Sequence, residues 1–187
     1  MVIYMNKILK HLMDPAIERV VKSFLNGLGI KNIKDIDTYQ DIIKLSVSEA
    51  QKNFITTNTY SLIHAYLYSL DGKKACPFGI YLDDNPIGFV MIGHDWYSEG
   101  KPSLIKNAYF IWRFMIDEKY QGKGYGKEAL KLVLDFIKSF PYGKSDICWI
   151  SYEPNNEVAK KLYASYGFVE IHEHYEEGKE MPAILKL

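Results

Sequence analysis

The chain has 187 residues, which at about 150 per domain fits one domain with at most an appendage. It carries 23 Lys and Arg against 23 Asp and Glu, so the formal net charge is zero. That balance argues against a nucleic-acid partner, which calls for a basic excess to displace counterions. Hydrophobic residues make up 48% of the chain, enough to bury a core and too many for disorder.

No apolar run reaches the roughly 18–20 residues that cross a bilayer, so no membrane partner is expected. The opening MVIYMNKILKHLMDP has too short an apolar stretch and no small-residue cleavage site, and does not read as a signal peptide. Cys76 and Cys148 lie far apart and form no CxxC, which favours free thiols in a cytoplasmic chain over a disulfide or zinc framework.

Residues 1–29 read as an N-terminal helical extension. Asp14 is a candidate N-cap with Pro15 at the first helical position, and Ile17, Val20, Val21, Phe24 and Leu25 follow on one face until Gly27 and Gly29. The domain proper is expected over 30–187. Residues 30–36 look like a short strand, with Asp37 or Thr38 capping a helix through Leu45. A second helix covers Asn58 to Ser69, with Leu62, Ala65, Tyr66 and Ser69 on one side.

Residues 78–82 and 86–94 are β-rich runs around Asp83, Asp84 and Asn85, a hairpin signal. A longer strand spans 108–116, and an amphipathic helix covers 128–140 before Pro141 and Gly143. A strand at 146–152 precedes a helix at 155–167. The segments 168–175 and 181–187 read as a terminal hairpin. The order predicts an α/β class, a mixed sheet flanked by helices, with ligand sites at strand ends.

The stretch from Phe114 to Gly126 carries the chemistry. Gly122, Gly124 and Gly126 alternate, letting the backbone approach a ligand, and the following helix offers unpaired N–H groups and its positive dipole end. Together these suit a pyrophosphate. The Gly-x-Gly-x-Gly spacing is not the dinucleotide fingerprint, and no Gly-Lys-Ser/Thr of a P-loop is present.

Gln121-x-x-Gly124-x-Gly126 instead resembles the Q/R-x-x-G-x-G/A loop of the GNAT superfamily of N-acetyltransferases. The preceding strand, the later Asn155–Phe168 segment and the terminal hairpin follow in that superfamily's order, over roughly 30–187. The resemblance implies a GNAT-like acyl-CoA N-acyltransferase fold with acetyl-CoA as co-substrate. Phe114, Met115 and Ile116 would offer backbone groups to the pantetheine arm, like an added strand. Gln121, Gly122, Lys123, Gly124, Tyr125 and Gly126, with Lys127, would hold the pyrophosphate through main-chain N–H groups. Lys119, Lys123, Lys127 and Lys131 recur every four residues and read either as phosphate attraction or as a solvated face.

Asn155 and Asn156 divide a helix cap from a contact to pantetheine. Tyr163 matches the tyrosine that faces the thioester sulfur in relatives, where a phenol can protonate a departing thiolate. The chain further resembles bacterial spermidine/spermine (diamine) N-acetyltransferases, which implies a small-molecule polyamine acceptor attacking directly in a ternary complex. Some relatives carry an acidic residue where this chain has Ile111 and Trp112, and His94, Asp95 and Glu99 are the substitutes offered for it. The terminal Glu170, Glu173, Glu176, Glu177 and Glu180, with Asp83, Asp84, Asp95 and Glu99, are candidate polycation contacts or solubilising charges.

His172 and His174 alternate on an expected strand, but without a third ligand they read as solvated, and no metal is expected. Cys148 reads as a core residue rather than an acyl carrier. The alternatives are an acetyltransferase for a protein N-terminus or an antibiotic amine, and a non-catalytic acyl-CoA-binding module. The assembly stays open between a monomer and a homodimer or higher oligomer.

Overall fold

A computed structural model describes residues 27–33, 35–95 and 105–187. The expected helical extension lies outside these residues but for its end, where Leu28 and Gly29 already belong to a strand. That strand, β1 (Leu28–Asn32), is followed by α1 (Ile36–Ile42), α2 (Asn58–Leu70), β2 (Lys74–Leu82), β3 (Asn85–His94), β4 (Tyr109–Ile116), α3 (Tyr125–Ile137), β5 (Ile147–Tyr152), α4 (Glu157–Ala164), β6 (Val169–Glu170) and β7 (Met181–Lys186). The expected strand over 30–36 thus sits earlier. Ile36 opens a helix because the Asp35 carboxylate accepts from the Thr38 N–H at 2.8 Å, a stronger cap than Asp37 or Thr38.

The seven strands form one mixed sheet in the order β1-β2-β3-β4-β5-β7-β6. The β2–β3 hairpin turns at Asp83 and Asp84, with Asp83 at φ +55°. One face packs on α3 and α4 through Ile80, Val90, Ile111, Leu130, Val133, Ile137, Ile150 and Tyr163. The other packs on α1 and α2 through Ile42, Ala65, Phe89, Met91 and Met115.

One expectation is met over a shorter span than its segments and one fails. The terminal hairpin pairs only Val169 with Ile184 and Glu170 with Ala183, and β7 lies between β5 and β6. His172 and His174 fall in a single 3-10 turn rather than on a strand, so they do not share a sheet face. On α2 the buried positions are Asn58, Ser61 and Ala65, while Tyr66 and Ser69 face solvent. No helix among the described residues is long and apolar enough to cross a membrane.

Candidate active site

The sheet opens where the one parallel pair among the described residues ends. β4 bonds β5 at just two positions, Tyr109 with Cys148 and Phe110 with Trp149, after which the strands part. β4 also steps its register against β3, Ile92 facing Ile111 and Met91 facing Arg113, so Trp112 is the extra residue of a bulge. A bulge sharpens the local bend and twist, which helps carry the end of β4 away from β5. Beyond it, the β5-facing edge of β4 has no strand partner among the described residues, and a cleft of about 800 Å³ lies there.

The cleft is lined from both faces of the sheet. Phe114, Ile116, Ile150, Tyr152, Ala159, Leu162 and Tyr163 belong to the α3/α4 side. Trp112, Met115, Val47 and Ile55 belong to the α1/α2 side. Arg113 lies over the Trp112 ring at 5.1 Å, and Ser151, alternating with Ile150 and Tyr152, projects to the same side. There the Ser151 hydroxyl donates to Glu180.

The glycine loop closes the α3/α4 side. Gly122 and Gly124 have φ of +74° and +88°, and Gly124 is the N-cap of α3. The N–H groups of Gly122, Lys123, Gly124, Tyr125 and Gly126 find no acceptor among the described residues. They are the orphan donors of a helix start, gathered beside a cleft. A Cβ added at Gly126 would meet only Ile116 Cγ1, at 3.7 Å. The space above the loop is therefore open to a ligand, and these groups fit a pyrophosphate.

Two of the residues expected in this cradle are otherwise engaged. The Gln121 N–H donates to the Glu118 carbonyl at 3.4 Å, and the Lys127 N–H to the Gly124 carbonyl at 3.0 Å, so neither is available. The Gln121 side chain instead ties the loop down, donating to the Ile116 carbonyl at 2.8 Å and to Gln51 Oε1 at 2.9 Å. Lys123 folds onto the Lys119 carbonyl and the Tyr120 ring, and Lys131 pairs with Asp135, which fits a solvated face. Asn156 caps α4, its side chain accepting from the Ala159 N–H at 3.1 Å, and also lines the cleft. Asn155 is exposed and does not line it.

Tyr163 is buried between Tyr152 and Phe168, with ring centroids 5.6 and 5.8 Å away, yet it borders the cleft. Burial pushes its phenol well above the ordinary value. Such a phenol keeps its proton, and away from water a hydrogen bond that it donates to a charge forming beside it is worth more than in solution. Tyr152 donates to Glu170 Oε1 at 2.9 Å, and Glu170 also meets Lys160 and His172, so Glu170 is spent inside the protein. Cys148 is fully buried, and burial raises its thiol.

Of the substitutes offered for a base, neither His94 nor Asp95 lines the cleft. His94 packs on the Tyr109 ring at 4.5 Å, Asp95 accepts from the Asn107 N–H, and Glu99 is outside the described residues. Asp83 and Asp84 turn the β2–β3 hairpin, and Glu173, Glu176 and Glu177 stay off the cleft. Among the described residues, the carboxylates on its wall are Glu153 and Glu180. Sequence reasoning missed Glu153, Arg113, Ser151 and the wall from Gln51 to Thr56.

Residues 39–168 match the acetyltransferase (GNAT) family. The chain belongs to that family. It is 31% identical over 146 residues to the spermine/spermidine N(1)-acetyltransferase of Bacillus subtilis (strain 168), covering 76% of this chain and 88% of the relative. Among solved structures, the spermidine N-acetyltransferase of Vibrio cholerae, in complex with CoA and spermine, aligns with a TM-score of 0.61 at 17% identity, over 86% of this chain and 96% of that one. The PaiA N-acetyltransferase of Thermoplasma acidophilum, in complex with coenzyme A, gives 0.59 at 16% identity, over 86% and 99%. The protein is a GNAT-family N-acetyltransferase with that family's fold.

Proposed function

We propose that the protein transfers the acetyl group of acetyl-CoA to a primary amine of a polyamine such as spermidine or spermine. The observation that carries the donor half is the row of unpaired N–H groups from Gly122 to Gly126 beside the unpartnered edge of β4. The loop and the α3 N-terminus would hold the pyrophosphate, and Phe114 to Ile116 would offer backbone groups to the pantetheine arm. The Bacillus subtilis relative supports the acceptor half.

The two sides of the cleft divide the labour. The thioester reaches the gap between β4 and β5 from the α3/α4 side, and the amine meets it from the α1/α2 side. The neutral amine attacks the thioester carbon, its proton passes to water held near Glu153 and Glu180, and the sulfur leaves as a thiolate. Tyr163 donates a hydrogen bond to that sulfur as charge develops. Cys148 is sealed in the core and out of reach as an acyl carrier. A cytoplasmic setting, where thiols stay reduced, goes with this reading.

Glu153 and Glu180 supply the negative charge that draws a polycation, more through capture rate than through affinity. Arg113, on the same side, favours instead an amine that also carries a carboxylate. An amine panel separates the two. Spermidine should be turned over with kcat/KM well above that of monoamines and amino acids, and the ratio should shrink as salt rises. Equal efficiency on monoamines, or a preference for amino acids, would overturn the polyamine reading.

A further inference from the structure

Six of the eight large hydrophobic side chains that stand exposed among the described residues lie on α1 and α2. On α2 they are Tyr60, Ile63, Tyr66, Leu67 and Leu70, between 50% and 65% exposed. At 100° per residue these five fill one continuous arc, opposite the buried Ser61 and Ala65. Ile36 of α1, 64% exposed, joins the arc through a groove that also takes in Tyr39, Leu62 and Tyr66. The whole of α2, NTYSLIHAYLYSL, holds no Asp, Glu, Lys or Arg. A solvated helix face carries charge, and this one carries none.

We propose that this face is covered by a second copy of the chain, α2 packing antiparallel on α2 about a two-fold axis. Tyr60, Ile63, Leu67 and Leu70 are spaced three, four and three residues apart, the spacing of a helix–helix seam. An antiparallel two-fold centred on Ala65 is self-complementary. It sets Ile63 against Leu67 of the other copy and Tyr60 against Leu70. A helix without charge meets itself with no like-charge repulsion.

The area suffices. The six side chains expose on the order of 600 Å², the upper end for any single patch on a monomer. A stable interface buries roughly 800 Å² per partner, of which these side chains would form the larger part. Tyr60 also packs tilted against His64, and His64 stacks on Trp112 of the cleft wall, so the seam braces the acceptor side of the site.

Sedimentation velocity and light scattering test the proposal on the full chain. The wild type should run at twice 21.7 kDa in the micromolar range. Leu67→Glu sets a carboxylate against Ile63 of the other copy at both ends of the seam. It should yield monomers with unchanged circular dichroism, since the site is exposed in one copy. Adding Ile63→Lys places opposite charges face to face and should restore the dimer. A monomeric wild type would overturn the proposal, because the face would then belong to another partner or to the chain's own first residues. A dimer that survives Leu67→Glu would overturn it too, as would a double variant that stays monomeric. These readouts concern mass alone and are independent of whether polyamines are substrates.

Discussion

Placing a side chain at Gly126 should weaken donor binding strongly without harming the fold. Gly126 lies in the first turn of α3 with an ordinary helical backbone, and an added Cβ meets nothing nearer than Ile116 Cγ1 at 3.7 Å. Gly126→Ala should therefore leave the melting temperature unchanged or raise it, since alanine gains about 0.4–1 kcal/mol over glycine where the backbone suits it. The new atoms enter the space through which a phosphate must approach the N–H groups of residues 122–126. A hydrogen bond to a charged group contributes about 1.5–3 kcal/mol, so each one lost weakens binding roughly 10- to 150-fold. Calorimetry with acetyl-CoA should show such a loss for Gly126→Ala and a larger one for Gly126→Val. Gly124→Val is the poorer probe, because φ +88° makes any side chain there strain the loop itself. An unchanged dissociation constant for a folded Gly126→Val would refute the placement of the pyrophosphate.

Tyr163→Phe should lower kcat about 10²–10³-fold in single-turnover measurements while acetyl-CoA affinity holds, as expected of a donor that matters only as the sulfur gains charge. Asn156→Ala removes the cap of α4 and should cost about 1 kcal/mol, seen as a fall of roughly 2–4 °C in melting temperature. Burial lowers the His94 pKa, outweighing the pull of Asp95, so the unfolded chain takes up more protons than the folded one below the ordinary value of 6.5. Stability should be full above that pH and fall as pH drops from 6.5 through the lowered value, and denaturant melts of His94→Gln should show a shallower fall.

The donor side was legible because its signal is local. Three alternating glycines between a strand and an amphipathic helix dictate a positive-φ turn and a helix start within a few residues of each other. Even there the sequence overcounted, since which N–H groups stay free depends on the capping turns that consume those of Gln121 and Lys127. The acceptor side was not legible, because it is assembled across the fold. Gln51 meets Gln121 over 70 positions of sequence and Ser151 meets Glu180 over 29. The terminal acidic run reads as one patch along the chain, yet Tyr152, Lys160 and His172 claim Glu170, and of that run only Glu180 reaches the cleft. The segment 168–175 alternates like a strand, but the 3-10 turn at His172 follows and the pairing spans two residues.

Product analysis of one reaction tests the proposed activity most directly. The wild type, acetyl-CoA and spermidine are mixed, and free CoA and acetylated spermidine are quantified together by chromatography and mass spectrometry. Equal amounts of the two products should appear, both should vanish with Gly126→Val, and no acetyl group should be found on the protein itself. CoA release without an acetylated amine, or acetylspermidine formed undiminished by Gly126→Val, would contradict it.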